Sequence, residues 1–212
     1  MNARADSLSK NLVAGVLVLT LMVLALGGAV VAVKLRPHPI PTDSVNRQIA
    51  LWQGSVETAP SDARAHTGLG LAYLGAQRSE EAKSEFQRAV ELDQTSWLAS
   101  FQLALLVKTE YPAEAEALLN QAAKYASGQD RSAPLVALGE LLMANGDAKG
   151  SAEAYRKSIG IDPFTFDAHF GLGQALGQLG QTEAAIAEFH EAQRFDPSNQ
   201  AVADAIEQLR NG

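Results

Sequence analysis

The chain has no cysteine, which excludes disulfides, thiolate metal sites and covalent haem attachment within it but does not fix its compartment. It is also short of positive charge. Seventeen Lys and Arg stand against twenty-four Asp and Glu among 212 residues, a formal net charge of −7. The deficit is uneven: residues 1–36 carry four basic and one acidic side chain, which leaves thirteen basic and twenty-three acidic in residues 37–212, a balance of −10. An acidic remainder without a run of Lys or Arg argues against nucleic acid as a partner and against lying on anionic lipid. Catalytic patterns are missing too. No Ser-His-Asp order, HExxH pair or Walker-type loop is present, and each of those chemistries needs its residue types at a defined spacing. No enzyme activity, cofactor, metal site or small-molecule substrate is expected.

What is there is a repeat. Leu69-Gly70, Leu103-Ala104, Leu138-Gly139 and Leu172-Gly173 return at separations of 34, 35 and 34 residues, each followed about twelve residues later by Ala or Ser. A fixed period of that size predicts a solenoid of stacked units, each too small to bury its own apolar face. In the first unit Leu69, Gly70, Tyr73, Ala82, Phe86, Ala89 and Asp93 keep register with Leu172, Gly173, Leu176, Ala185, Phe189, Ala192 and Asp196 of the last. The third reads Leu138, Gly139, Leu142, Gly146, Ser151, Tyr155, Ser158, Asp162 and Pro163. The second, with Leu103, Ala104, Val107, Ala115, Leu119 and Ala122, needs a deletion near Pro112 and an insertion after Tyr125.

On these residues, 63–199 resembles four tetratricopeptide repeats, spanning 63–96, 97–130, 132–165 and 166–199. The resemblance implies an all-α solenoid of antiparallel helix pairs that binds protein or peptide. Elementary packing supports the same picture. Two helices crossing closely need small residues at the crossing, which Gly70, Ala82 and Ala89 supply, while Tyr73 and Phe86 fill the space between. Asp162-Pro163 and Asp196-Pro197 stop second helices, because proline cannot continue one. Gly146 and Gly180 fall in turns within repeats, where positive φ suits glycine.

Two segments flank the array. Residues 43–60 place Val45, Ile49, Trp52 and Val56 on one helical face ahead of Pro60, and read as the second helix of a half-repeat whose first helix is missing. Residues 200–212 place Val202, Ile206 and Leu209 on one side, as a terminal capping helix requires.

After a tail of residues 1–11, Leu12–Val33 runs twenty-two residues without a charge. At about 1.5 Å per residue that spans the roughly 30 Å hydrocarbon core, and predicts one transmembrane helix ahead of the solenoid. The competing reading is a cleaved signal peptide, with Arg4 and Lys10 as its charged start and Ala25-Leu26-Gly27 as the cleavage site. The apolar run continues past that site, beyond the usual length of about 7 to 15 residues. Arg4 and Lys10 before the run balance Lys34 and Arg36 after it, so charge alone leaves orientation open. The simplest topology keeps the tail inside, giving a single-pass protein of the bacterial inner membrane with its repeats facing the periplasm or cell exterior. Pro37, Pro39 and Pro41 make residues 34–42 a short extended spacer.

The resemblance implies that ligands bind on the concave face, lined by first helices at repeat phases 2, 5, 9 and 12. Those phases hold Arg64, Thr67, Leu71 and Leu74, then Leu98, Phe101, Leu105 and Lys108, then Ala133, Val136, Glu140 and Met143, then Asp167, Phe170, Gln174 and Gly177. The candidate groove residues are Leu71, Leu74, Phe101, Leu105, Val136, Glu140, Met143, Phe170 and Gln174. Chaperone-binding members of the family hold a C-terminal carboxylate with a clamp that includes Lys and Asn; here those phases carry Thr67 and Leu71, so the clamp is absent. The remaining groove suits an amphipathic helix or extended apolar peptide. Of the four histidines, His66 and His169 share one phase three units apart, and read as helix-start packing residues. Glu80-Glu81 and Glu114/Glu116 sit at helix starts, where the dipole favours negative charge.

The layout is similar to bacterial inner-membrane assembly factors with tetratricopeptide repeats, including those of cytochrome c biogenesis. It implies a membrane-anchored scaffold that holds a protein or peptide client. The alternatives are a constitutive subunit of a membrane complex, whose groove is filled permanently, and an import receptor facing the cytosol.

Overall fold

Local chemistry sets the helix ends. Asp62 starts a first helix by accepting a hydrogen bond from the Arg64 amide at 2.9 Å, and Asp147 starts a second helix by accepting from the Gly150 amide at 2.8 Å; such caps satisfy amides that have no partner inside the helix. Pro112 opens its helix at the first turn, where the missing N–H costs nothing. Asp162 and Asp196 end theirs, each just before a proline. The turns within repeats three and four place Gly146 and Gly180 at φ of 84° and 72°, and Gln77 takes the same left-handed position in repeat one at 60°.

The computed structural model describes residues 42–211, which form ten α-helices and one 3₁₀ turn, with no strand among the described residues. They are α1 (Thr42–Thr58), α2 (Ala63–Gly75), α3 (Ser79–Leu92), α4 (Trp97–Val107), α5 (Pro112–Tyr125), α6 (Ser132–Ala144), α7 (Ala148–Ile161), α8 (Phe166–Gln178), α9 (Thr182–Phe195) and α10 (Gln200–Asn211). The 3₁₀ turn Gly128–Arg131 takes up the residues inserted after Tyr125. Thr42, assigned above to the spacer, instead opens α1. No described helix is long and apolar enough to cross a membrane. The apolar run Leu12–Val33 and residues 34–41 of the spacer lie outside the described residues.

Each helix packs on its neighbours in sequence, and α6, α8 and α10 also touch one another in succession. This is the nearest-neighbour stacking of a solenoid. The pairs α2/α3, α4/α5, α6/α7 and α8/α9 share one joint. A Cβ built on Gly70 would stand 2.6 Å from the Phe86 ring, on Gly139 2.7 Å from Tyr155, and on Gly173 2.7 Å from Phe189. In the second pair the corresponding residues are Ala104 and Leu119, both buried. Where the second helix presents an aromatic ring the first has glycine; where it presents leucine a methyl group fits.

Tyr155 is gripped from both sides, since a Cβ on Gly171 of the next first helix would also collide with its ring. Trp52 holds the matching place on α1: it lies 2.5 Å from a Cβ built on Gly68. Its other face has no preceding first helix among the described residues, and it stays 39% exposed. At the other end α10 buries Val202 and Ile206.

The core forms two clusters. One runs from Ile49 to Leu141 and Ala154, and the other from Ala152 and Tyr155 to Ile206, so α7 contributes to both. Where repeat three replaces the usual small apolar residues with serine, the hydroxyls are satisfied. Ser151 donates to the Gly139 carbonyl at 2.8 Å, and Ser158 lies 2.8 Å from the Ser132 hydroxyl. No described buried side-chain nitrogen or oxygen is left without a partner, as a native interior requires.

Candidate concave groove

On the first helices most residues outside phases 2, 5, 9 and 12 are buried, and those phases form the open stripe. Thr67 is the exception. It is buried, its hydroxyl donating to the Ala63 carbonyl at 2.7 Å, so this phase of repeat one offers nothing to a ligand.

The nine candidate residues divide by environment. Leu71, Glu140 and Gln174 are exposed; Leu74, Phe101, Leu105, Val136, Met143 and Phe170 are half-buried. The half-buried six rest one side on the core, the first three against the N-terminal cluster and the last three against the C-terminal one. Phe170 stacks on Phe166 at 5.6 Å between centroids and leans on Phe189 at 5.5 Å. Each is therefore a packing residue with one edge open, and Leu71 alone among the apolar candidates belongs to neither cluster.

Two of the candidates line a cavity. Met143 of α6 and Gln174 of α8 meet Gly173, Gly177 and Gln178 of α8, Phe189 of α9, and Ala205, Gln208 and Leu209 of α10 around a volume of about 380 Å³. Gly177 leaves room here: a Cβ on it would meet nothing nearer than Leu209 at 3.5 Å. Sequence reasoning missed the α9 and α10 contributions, because those helices do not carry the groove phases.

Glu140 and Asp167 stand near the same buried phenol. Burial first, and then these two carboxylates, push the Tyr155 hydroxyl well above the ordinary phenol range, so that it stays neutral. Neither carboxylate has an ion pair or hydrogen bond among the described residues, and the same holds for the side chains of Gln174, Gln178 and Gln208.

The histidines belong to the frame. His66 is buried, with Nδ1 at 2.6 Å from Glu85 Oε2 and Nε2 at 3.1 Å from the Pro60 carbonyl. His169 repeats this with Glu188 at 2.7 Å and the Pro163 carbonyl at 3.1 Å. A carbonyl only accepts, so Nε2–H donates to it, and Nδ1 shares a hydrogen with the carboxylate. Each ring thus ties its first helix to its second helix and to the loop before it. In repeat three the corresponding pair is Leu135 and Ala154, both apolar and buried. The recurrence of His and Glu nineteen residues apart in the first and last repeats was the signal available in the sequence. Among the described residues no cluster of His, Asp and Glu is placed to hold a metal.

Models of the tetratricopeptide repeat match residues 63–96, 103–164 and 136–200, together more than half of the chain. No curated protein sequence matches it. Among solved structures it is similar to MamA at a TM-score of 0.66 and 21% identity, over 74% of this chain and 91% of that one. It is similar to YrrB, a TPR protein with an unusual peptide-binding site, at 0.66 and 17%, over 74% and 81%. It is similar to PilF of Pseudomonas aeruginosa at 0.63 and 15%, over 79% and 89%. At these identities the likeness concerns the fold. With its period, its shared helix joint and these matches, the chain belongs to the tetratricopeptide-repeat family, whose members serve in general as non-catalytic protein-interaction scaffolds.

Proposed function

We propose that the protein is a membrane-anchored scaffold or assembly factor that holds a client peptide or helix in its concave groove. The observation that carries this is the open stripe of half-buried apolar residues on successive first helices, ending in a cavity beside Met143 and Gln174. YrrB, of the same fold, has a peptide-binding site, which supports peptide as the ligand class here. Because six of the seven apolar candidates rest one side on the core, Leu71 being the exception, the groove is largely packed without a permanent partner. That favours a transient client over the alternative, a constitutive subunit of a membrane complex.

The anchor is the apolar run Leu12–Val33, and the proposed setting is the bacterial inner membrane with the repeats facing the periplasm or cell exterior. The narrower form of the proposal, a part in c-type cytochrome biogenesis, rests on the similar layout of anchor, spacer, half-repeat and array.

Crosslinking followed by pull-down from native membranes tests the reading, with Phe101→Ala/Leu105→Ala as the control. A small set of clients captured by the parent protein and lost in the double variant, with helicity unchanged by circular dichroism, is the expected result. Capture unaffected by the double variant contradicts it.

A further inference from the structure

The two halves of the concave stripe differ in charge. The N-terminal half carries Arg64 and Lys108, whereas the phases of α6 and α8 carry only Glu140 and Asp167. No charged residue lines the cavity itself. Its walls are of two kinds. Met143, Phe189 and Leu209 offer apolar contact, and Gln174, Gln178 and Gln208 offer side-chain amides that bond to no described residue. An amide presents donors and an acceptor together, which is what an extended main chain needs from its surroundings.

From these we infer that the C-terminal half of the groove recognises a short extended peptide segment in which a Lys or Arg lies two or three residues from a large apolar side chain. The apolar side chain fills the cavity, the glutamines hold the main chain, and the cation pairs with the Glu140 or the Asp167 carboxylate. The spacing follows from the helices. Glu140 precedes Met143 by one turn and Asp167 precedes Gln174 by two, offsets of about 5 to 10 Å along the axes, and an extended chain covers about 3.3 Å per residue. The negative sign is unopposed, because neither carboxylate is spent on an ion pair within the described residues. This inference rests on the groove reading above and narrows it to one class of client.

The test is selection of a displayed random heptapeptide library on the immobilised full-length chain. The most enriched peptide is then made with a fluorescein label and titrated by anisotropy. Enriched sequences are expected to pair a basic residue with Leu, Phe, Met or Ile two or three positions away. Affinity is expected to fall at least tenfold in Glu140→Gln/Asp167→Asn, to fall at least fivefold between 50 and 500 mM salt, and to hold in Glu153→Gln, an exposed control on α7.

Enriched peptides without basic residues, or an affinity unmoved by Glu140→Gln/Asp167→Asn, overturn the inference. If such peptides are still lost in Phe101→Ala/Leu105→Ala, the groove reading stands, and both the C-terminal location and the charge preference fall. No enrichment at all overturns both.

Discussion

The second repeat and its neighbours solve one packing problem in two ways. In repeats one, three and four a glycine on the first helix meets an aromatic ring on the second: Gly70 with Phe86, Gly139 with Tyr155, Gly173 with Phe189. In repeat two the same two places hold Ala104 and Leu119, both buried. The sum of the two side chains is held roughly constant, since a close-packed joint has room for one large partner. A second contrast runs alongside. The outer repeats lock first helix, second helix and preceding loop with a buried His bonded to a half-buried Glu, whereas repeat three fills the place with Leu135 and Ala154. One solution is polar and directional, the other apolar and adaptable.

The first way to break the comparison is to overfill an aromatic joint. Gly70→Leu is expected to cost about 3 kcal/mol, the upper end for overpacking, because even its Cβ falls 2.6 Å from Phe86. Thermal melting reads this directly, and an unchanged melting temperature would place the helix crossing elsewhere.

The polar lock is next in size. Glu188→Ala leaves the buried His169 Nδ1 without a partner, a loss of about 1 to 3 kcal/mol. Adding His169→Leu imports the repeat-three solution and is expected to recover most of that loss in denaturant titration, since replacing both partners by apolar groups is nearly neutral. If the double variant is no better than the single, the pair is not interchangeable with an apolar contact.

A third experiment sharpens the volume rule. Gly70→Ala and Phe86→Leu each destabilise alone, and together they rebuild the joint of repeat two. A favourable coupling of about 1 to 2 kcal/mol is expected from the double-mutant cycle; strict additivity would mean that the two residues do not share the space. The smallest effect is a gain. Gly160 lies inside α7 with nothing within 4 Å of a built Cβ, so Gly160→Ala is expected to stabilise by about 0.5 to 1 kcal/mol in the same titration.

How much of this was legible depends on how far apart in sequence the partners lie. The joint was readable because Gly70 and Phe86 belong to one repeating unit. The helix ahead of the array was readable from the shared face of Val45, Ile49, Trp52 and Val56 and from Pro60 after it. The His–Glu lock escaped because Glu85 and Glu188 sit at positions that a helical wheel assigns to solvent, and only the three-element closure shows their use. Thr67 occupies a groove phase, but its hydroxyl turns back to Ala63, a local bond that phase counting does not register. The cavity is the least legible feature, because Gly177 and Leu209 come from different helices and only the stacking of α10 on α8 brings them together.

The central claim is that clients lie along the first helices, and a photo-crosslinkable amino acid placed at single positions tests it most directly. Leu71 and Gln174 on the open stripe are compared with Gln87, exposed on the second helix α3. Irradiation in native membranes is expected to give client adducts from positions 71 and 174 and none from 87. Adducts at position 87 equal to those at 71 and 174 would contradict the concave-groove account.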